Sequence, residues 1–350
     1  MYYINENTLN LNRIFDQNSR EGYLRFDLNE NPVGLPLDFI KKVLSDVDQE
    51  FIAKYPETEE FQQFLADFIN VNPNQICLTN GSAEAIRHIF EVYSRPNGKI
   101  VSVAPSYAMY EVYANMYGRQ HVGVPYDENF KISVDKIVDA IDDETDIVVI
   151  LNPNNPVGDV YSYEDAEKII LAAQAHEATV LIDEAYFYFY PNTFMSFVDK
   201  YEHVILTRTF SKLFSLAGCR LGYCVGRPED IALVQKMCTP HNVNAFGIKF
   251  AHTIMKTEGM LDELIKMQIE GKQHLVDTLR AEGYNVNALE GNFVFIETKT
   301  DAGEVTKKLK ENKVLVKYYA NSDYDKYIRV STGTKEIMDE FIKNLLSVDK

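Results

Sequence analysis

Four short polar clusters follow strand-length apolar runs, and their side chains carry most of the reactive chemistry in the sequence. They are Asn80-Gly81-Ser82, residues 152–158, residues 183–186 and residues 209–212. Gly81-Ser82 would open a helix, whose free backbone N–H groups and positive dipole end suit a phosphate. The Asp183 carboxylate would emerge from a buried strand and need a cationic partner. Lys212, if partly desolvated near other cations, would be an amine nucleophile that forms Schiff bases with carbonyl compounds.

Each cluster by itself also has an ordinary structural explanation. Gly81-Ser82 fits a simple turn and helix cap, Asp183 fits a loop cap, and Lys212 fits a solvated surface lysine. The combination is more specific, because phosphate donors, an acidic counter-ion and an amine together suit a phosphorylated, carbonyl-bearing ring with a protonatable nitrogen. Pyridoxal 5'-phosphate has all three features, so the clusters predict it as the cofactor.

An alternating pattern of strands and helices must position these clusters. Apolar runs of strand length occupy residues 76–79, 100–103, 147–151, 179–183, 204–207 and 221–225. Stretches with helical spacing of apolar residues lie between them, such as 82–93 and 163–176. This alternation predicts an α/β fold whose mostly parallel sheet is flanked by helices. In such folds ligands bind beyond the carboxyl ends of the strands, where the polar clusters stand.

The pattern of elements changes near residue 228. Long amphipathic stretches at 228–236 and 246–282 precede a short strand at 293–297 and a closing helix after Thr334. We therefore expect a large cofactor-binding domain at residues 35–240 and a smaller α+β domain at residues 241–350. An N-terminal arm, residues 1–34, is expected to pack on the small domain.

Composition and charge exclude several classes of function. The chain has 350 residues, and 35 basic against 52 acidic side chains give a formal net charge of −17. It therefore lacks the dense basic face that nucleic acid or an anionic membrane surface requires. The sequence shows no signal-peptide pattern and no apolar run of membrane-spanning length, so a cytoplasmic location is expected. The four cysteines and seven histidines are scattered without metal-ligand spacing, so no metal site is expected.

Four motifs together resemble those of one enzyme family. They are LNENPVG at 28–34, NPNNPVG at 152–158, LIDEAY at 181–186 and TRTFSKLFSLAGCRLGY at 207–223. The set is similar to that of the fold-type I pyridoxal-phosphate-dependent aminotransferases, and within them to the histidinol-phosphate aminotransferase branch. The likeness runs from about residue 28 to residue 334. It implies an aspartate-aminotransferase-like fold, a homodimer and a transamination reaction.

The resemblance also implies roles for individual residues toward the cofactor. Lys212 would form the Schiff base and shuttle a proton, and Asp183 would pair with the ring nitrogen. Asn155 and Tyr186 would bind the ring 3′ oxygen, and Tyr107 would stack on the ring face. The implied phosphate contacts are the backbone of Ser82 and Ala83, the hydroxyls of Thr209 and Ser211, the Arg220 guanidinium, and Tyr55 reaching over from the neighbouring subunit.

Three further residues are implied in substrate binding. Arg329 matches the family arginine that receives a substrate carboxylate or phosphate, and Asn29 matches a residue near the substrate. Lys317 stands where the histidinol-phosphate branch usually has a second arginine; lysine keeps the charge but loses the planar fork. The expected substrates are a small, phosphorylated, hence anionic, amine or amino acid, with glutamate and 2-oxoglutarate as the second pair.

Two other functions stay open at this point. Relatives resembling threonine-phosphate decarboxylase share nearly all the cofactor residues, and the reaction depends on which bond at Cα lies perpendicular to the ring. A ligand-sensing module built on the same fold is the other alternative. It would normally carry a DNA-binding segment, for which the chain has no basic patch.

Overall fold

The computed structural model describes residues 4–9, 11, 19–127 and 130–350. The strands are β1 Leu24–Arg25, β2 Ile76–Thr79, β3 Lys99–Ala104, β4 Gln120–Pro125, β5 Thr145–Leu151, β6 Thr179–Asp183, β7 Val204–Thr209, β8 Gly222–Val225, β9 Asn285–Asn287, β10 Phe293–Glu297, β11 Val314–Leu315, β12 Lys317–Tyr318 and β13 Tyr327–Ser331. The helices are α1 Glu6–Leu9, α2 Leu37–Ser45, α3 Gln49–Ala53, α4 Glu59–Ile69, α5 Ser82–Tyr93, α6 Met109–Met116, α7 Val134–Asp139, α8 Tyr163–Ala175, α9 Ser196–Lys200, α10 Pro228–Gln235, α11 Ala245–Lys256, α12 Met260–Ala281, α13 Ala302–Glu311 and α14 Lys335–Val348. Short 3-10 turns lie at Pro73–Gln75, Phe187–Phe189 and Ala217–Cys219.

The larger sheet has seven strands in the order β2-β8-β7-β6-β5-β3-β4. Strand β8 runs antiparallel to both of its neighbours, and the other paired strands run parallel. The central strands β5, β6 and β7 are almost entirely buried. Parallel strands covered by helices on both faces read as continuous apolar runs, which is why the sequence reveals them. The predicted α/β fold class with a mostly parallel sheet is confirmed.

Local signals in the sequence fix where the helices begin. Helix α8 starts at Tyr163 because the Ser162 hydroxyl accepts a hydrogen bond from the Asp165 backbone N–H at 3.0 Å. The predicted helix at 82–93 coincides with α5. Within the described ranges, none of the helices combines the length and the apolarity that a bilayer crossing requires.

The C-terminal part forms a second, antiparallel sheet in the order β12-β13-β10-β9. It has a separate hydrophobic cluster, in which Phe26 meets Phe341 edge-on with ring centroids 5.3 Å apart. Strand β1 pairs in parallel with β11 in a separate two-stranded sheet. The Phe26 carbonyl accepts from the Ser331 N–H at 2.9 Å, so the residues just before the LNENPVG motif lie in this C-terminal part. Of the expected arm, residues 1–3, 10 and 12–18 lie outside the described residues, and the division into three parts stays a prediction.

The short strands β1, β9, β11 and β12 and the strand β13 were not among the predicted strands. Two further differences from the sequence-based expectation have a clear physical reason. Strand β4 was not predicted, because its polar and glycine-containing sequence lies at the sheet edge with a mixed burial pattern. The stretch 246–282 is divided into α11 and α12, and Gly259 between them has a left-handed backbone, φ +75°. Amphipathic spacing continues on both sides of that break, so periodicity alone predicts one helix.

Candidate active site

The polar clusters lie together at the carboxyl edge of the larger sheet. Strands β2, β5, β6 and β7 run in the same direction, so the segments that follow them meet at one edge. Tyr107 joins them from the segment after β3: Ser106 Oγ donates to Asn154 Oδ1 at 2.7 Å, and Asn154 Nδ2 donates to the Pro105 carbonyl at 3.1 Å. The edge of the sheet therefore holds the predicted site.

The start of α5 forms an anion cradle with Arg220. The N–H groups of Ser82 and Ala83 lie in the first turn and have no carbonyl within the helix to bind. Gly81 has φ +81°, and a Cβ there would come within 2.5 Å of Arg220 Nη2. A Cβ on Gly222 would come within 2.5 Å of the Ser82 nitrogen. Gly222 thus lets β8 approach the start of α5, and Gly81, with its left-handed backbone, leaves room for the Arg220 guanidinium.

Two hydroxyls extend the cradle from the end of β7. Thr209 Oγ1 donates to Ser211 Oγ at 2.9 Å, and the Ser211 N–H donates back to Thr209 Oγ1 at 3.1 Å. Arg220 Nη1 reaches Ser211 Oγ at 3.5 Å. Both hydroxyls are buried, whereas Arg220 is exposed toward the cleft. Backbone N–H groups, hydroxyls and a guanidinium together make a donor set suited to a phosphate dianion.

Asp183 lies at the end of β6 and is only 2 % exposed. Its Oδ2 accepts from the Tyr110 hydroxyl at 2.7 Å, and its Oδ1 accepts from the Ala185 N–H at 3.1 Å. Burial raises the pKa of the carboxyl to about 6, although the hydrogen bonds from Tyr110 and Ala185 oppose the rise. A buried acid with this donor pattern can still accept a proton or pair with a cationic group.

Lys212 follows β7 and points its ammonium toward the same cleft. Its Nζ donates to the Leu28 carbonyl at 3.0 Å and lies 5.7 Å from the centre of the Tyr186 ring. Desolvation first, and then the positive charges of Arg329 and Arg220, lower the pKa of Lys212 to about 8. The amine is therefore neutral in a substantial fraction of molecules near neutral pH, as a nucleophile requires.

A hydrogen-bond chain joins Tyr186 to Arg329. Asn29 Nδ2 donates to the Tyr186 hydroxyl at 3.0 Å and to Asn155 Oδ1 at 3.2 Å. Arg329 Nη1 donates to the same Asn155 oxygen at 2.7 Å. Asn29 has a left-handed backbone, φ +55°, and its N–H donates to Ser331 Oγ at 2.8 Å. The smaller sheet thus holds Asn29 and Arg329 against the larger one.

Arg329 and Lys317 lie side by side on β13 and β12, where their Cα atoms are register partners. Arg329 is only 5 % exposed, its Nη1 donates to the Tyr319 hydroxyl at 3.0 Å, and its Nε has no partner among the described residues. Lys317 is exposed, and its Nζ lies 5.8 Å from the Tyr319 ring centre. Partial desolvation, and then the Arg329 charge, lower the pKa of Lys317. Two cations therefore face the cleft from the smaller sheet.

The structure separates Tyr55 from the other predicted residues. Its side chain is 76 % exposed and stacks on His241 with ring centroids 4.4 Å apart. Tyr107, by contrast, meets Tyr110 edge-on at 5.5 Å, close to Asp183. Within this chain, Tyr55 is displayed on the surface and Tyr107 in the cleft.

The sequence did not reveal the residues that support the site from behind. Tyr110 binds Asp183, Tyr319 binds Arg329, and Asn292 Nδ2 donates to the Asn29 carbonyl at 3.1 Å. The only signal for Tyr110 is that it lies one helical turn after Tyr107. Tyr319 and Asn292 stand in segments whose proximity to the cleft depends on the packing of the two sheets.

Comparison with known proteins decides the family. Residues 21–345 match the sequence profile described as aminotransferase class I and II. The chain belongs to this family. A histidinol-phosphate aminotransferase of Caldanaerobacter subterraneus is 30 % identical over 93 % of this chain and 92 % of its own length. The enzyme of that name from Thermoanaerobacter pseudethanolicus is 31 % identical, covering 92 % of each chain.

Solved structures give the same result for the fold of this aminotransferase. The histidinol-phosphate aminotransferase of Sinorhizobium meliloti in complex with pyridoxal-5'-phosphate superposes with a TM-score of 0.83 and 23 % identity, covering 93 % of this chain and 90 % of that one. A Thermus thermophilus aspartate aminotransferase with maleate superposes with a TM-score of 0.77 and 19 % identity, covering 93 % and 91 %. The predicted family and aspartate-aminotransferase-like fold are confirmed. With them, the prediction of a pyridoxal-phosphate-dependent aminotransferase is confirmed.

The site of this aminotransferase fits pyridoxal 5'-phosphate on its own geometry. The two glycines leave a cradle that any side chain would fill, and the surrounding donors match a phosphate. The buried Asp183 carboxylate and the Lys212 amine stand at separate places in the same cleft. Phosphate, ring nitrogen and aldehyde therefore each have a chemically matched group.

Proposed function

We propose that this aminotransferase transfers the amino group of a small phosphorylated amine, of the histidinol-phosphate type, to 2-oxoglutarate. The observation that carries the proposal is the pairing of Arg329 and Lys317 on adjacent strands at the cleft. A buried guanidinium suits a carboxylate bidentately, and a neighbouring ammonium adds charge for a phosphate. The curated relatives at 30 % and 31 % identity carry the name of such an enzyme, which supports this substrate class.

We match each group of the cofactor to the residues that can bind it. The phosphate would be held by the donors around the glycine cradle, which come from Ser82, Ala83, Thr209, Ser211 and Arg220. Asp183 would pair with the ring nitrogen and keep it protonated, since a buried carboxylate is stabilised by a cation. Asn155 and Tyr186 would bind the ring oxygen, and Tyr107 would cover one ring face.

Lys212 is the group that moves protons in this proposal. When bound, the cofactor supplies an electron sink for the negative charge left at the substrate Cα. The Lys212 Nζ, with its pKa lowered to about 8, accepts the proton that leaves Cα and holds it within the cleft. Arg329, fixed by Asn155, Tyr319 and the Asp27 carbonyl, orients the substrate by its anionic end.

The exposed Tyr55 supports a homodimer in which each site is completed by the other subunit. The nearby chain segments α2 and α3 also expose Leu37 and Ile52, which are 64 % and 68 % exposed. Exposed apolar side chains, where they are contiguous, are typical of an interface. In such a dimer Tyr55 would reach the phosphate of the neighbouring site.

A half-reaction screen tests the reaction and the substrate class together. The purified pyridoxal form is mixed with L-histidinol phosphate, glutamate, phosphoserine or small amino-alcohol phosphates, and its absorbance is followed for conversion to the pyridoxamine form. We expect histidinol phosphate and glutamate to convert the enzyme without carbon dioxide release. Conversion by glutamate alone would contradict the substrate class, and carbon dioxide release from phosphoserine would favour the decarboxylase alternative.

A further inference from the structure

A cluster of metal-ligating side chains lies on and beside α5, the helix whose first turn belongs to the phosphate cradle. Glu84 and His88 stand one turn apart on α5, and Cys238 lies beyond the end of α10. A carboxylate oxygen, a ring nitrogen and the thiol sulfur of these residues all lie within 4.8 Å of one another. Residues four apart on a helix share a face, so α5 presents both ligands to the same point.

His88 is oriented as a metal ligand would be. It is only 7 % exposed, and its Nδ1 lies 3.1 Å from Glu91 Oε2. Its Nε2 is buried and has no hydrogen-bond partner among the described residues. Metal-binding histidines generally donate one ring N–H to a carboxylate, which fixes the tautomer and leaves the other nitrogen free for the metal.

Glu84 is also held in place by hydrogen bonds to one of its two carboxylate oxygens. Its Oε2 accepts from the Asn80 N–H at 2.7 Å and from Asn242 Nδ2 at 2.9 Å. The hydrogen bonds given by the described residues thus fall on one carboxylate oxygen. Asn80 and Asn242 thus orient the carboxylate, and no hydrogen bond from the described residues is given to Oε1.

Cys77, on β2, brings a second thiol to Cys238. The two sulfurs are 3.7 Å apart. Two thiolates bound at about 2.3 Å to one tetrahedral ion lie about 3.8 Å apart, whereas a disulfide requires a separation of about 2.05 Å. The observed spacing of these two sulfurs fits a shared ion. Cys77 lies outside the group of three whose ligand atoms are all within 4.8 Å of one another, so its side chain would turn toward the ion on binding.

We propose that Glu84, His88, Cys238 and Cys77 form a binding site for one thiophilic divalent cation of the zinc class. One oxygen, one nitrogen and two sulfur ligands are a set that Zn²⁺ accepts in tetrahedral geometry. Binding releases the two thiol protons to solvent, since the thiolates are the ligands. Because the cation displaces these protons, its affinity rises with pH.

The site would join three separate segments of the chain around the cradle. It connects α5, whose first turn offers the phosphate donors, to β2 and to the segment after α10. Glu84 and His88 share α5, but Cys77 lies on β2 and Cys238 follows α10, so the set as a whole shows no metal-ligand spacing in the sequence. The proposal departs from the sequence-based expectation of no metal, and it does not depend on the substrate of the enzyme.

The test is metal content measured on the holoenzyme. The purified protein is treated with a chelator, incubated with Zn²⁺, passed over a desalting column and analysed by atomic emission. We expect about one ion per chain, falling to a small fraction in His88→Gln and Cys238→Ser. Cys219→Ser and His176→Gln are the matched controls, since Cys219 is another free cysteine and His176 pairs with Asp143 elsewhere on the surface. Both should bind like the unmodified protein.

Cobalt substitution detects the thiolate ligands directly. Because it is first measured on the unmodified holoenzyme, it tests the proposal even if a variant fails to fold. Co²⁺ loaded into the unmodified holoenzyme should give thiolate-to-metal charge-transfer absorbance, reduced about by half in Cys77→Ser, which keeps one of two thiolates. Metal content well below one ion per chain in the unmodified protein would overturn the proposal. So would equal content in the four zinc-test variants, or charge-transfer absorbance that Cys77→Ser leaves unchanged.

Discussion

The Tyr110 hydroxyl donates a 2.7 Å hydrogen bond to Oδ2 of Asp183, the buried carboxylate at the end of β6. The two residues come from different elements. Among the described residues, Asp183 forms no salt bridge, so the Tyr110 hydroxyl and the Ala185 N–H are its donors. The tyrosine therefore stabilises the ionised form of an acid whose pKa burial raises to about 6. Asp183 can pair with a protonated ring nitrogen only while it is ionised.

Removal of this hydroxyl should weaken cofactor binding. In Tyr110→Phe the carboxylate loses a charge-assisted hydrogen bond, a change on the order of 10-fold in the dissociation constant of pyridoxal phosphate. The loss should be larger at pH 6 than at pH 8, because the pKa of Asp183 rises further. Titration of the cofactor-free protein by absorbance measures it. Tyr107→Phe, which keeps its ring, is the control and should bind with nearly unchanged affinity.

Asp183 should also lower the stability of the cofactor-free protein. Its folded-state pKa, about 6, lies above the ordinary 3.8, so the folded protein binds this proton more tightly than the unfolded chain. The destabilisation is therefore absent below about pH 4 and complete above about pH 6. Asp183→Asn should stabilise the cofactor-free protein at pH 8 by roughly 1–3 kcal/mol while abolishing turnover. Denaturant unfolding at pH 4 and pH 8 measures this, and an equal change at both pH values would contradict it.

The reaction of Lys212 with the cofactor should titrate near pH 8. With the pKa lowered to about 8, roughly a quarter of the amine is neutral at pH 7.5, against about a thousandth at the ordinary pKa of 10.5. Stopped-flow recapture of pyridoxal phosphate by the cofactor-free protein should therefore accelerate as pH rises through 8. Arg329→Gln should shift that midpoint upward, because the variant removes a nearby positive charge. Lys212→Ala should lose both turnover and the absorbance of the lysine-linked cofactor.

Arg329 and Lys317 should separate the two substrates kinetically. Arg329→Lys should raise KM for both substrates by about 10- to 100-fold, since one buried bidentate donor is lost, with little change in cofactor affinity. Lys317→Ala should raise KM for the phosphorylated amine and leave glutamate nearly unaffected. Lys317→Arg, which restores the planar fork, is the matched variant and should lower that KM. Equal effects of Lys317→Ala on both substrates would remove it from the phosphate subsite.

Complementation between subunits tests the assignment of Tyr55. If Tyr55 acts in the neighbouring site, a hybrid of Tyr55→Ala and Lys212→Ala subunits contains one site with both changes and one with neither. Mixing the two variants under conditions of subunit exchange should therefore restore activity to about a quarter of the normal value. No recovery, with exchange verified by tagged subunits, would place Tyr55 in the site of its own chain or outside it.

The sequence by itself indicated the cofactor chemistry and the order of the buried strands of the larger sheet. Asp183 and Lys212 were recognisable because parallel central strands are buried on both faces, so a polar residue at their ends stands out against an apolar run. Gly81 and Gly222 were visible as residues, but the reason for them, the approach of Arg220 and the Ser82 nitrogen, is a tertiary contact. The edge strand β4 was missed because a strand with one neighbour carries a weak apolar pattern.

Only the tertiary structure decided which distant residues share a site. The hydrogen bonds of Tyr110 with Asp183, Tyr319 with Arg329 and Asn29 with Tyr186 form only when separate elements pack together. Local sequence propensity does not predict that packing. The same is true of Cys77 and Cys238, which lie 161 residues apart in sequence but have sulfurs 3.7 Å apart. Short-range spacing encodes helices, strands and turns, whereas burial and pKa shifts arise from the neighbours that folding supplies.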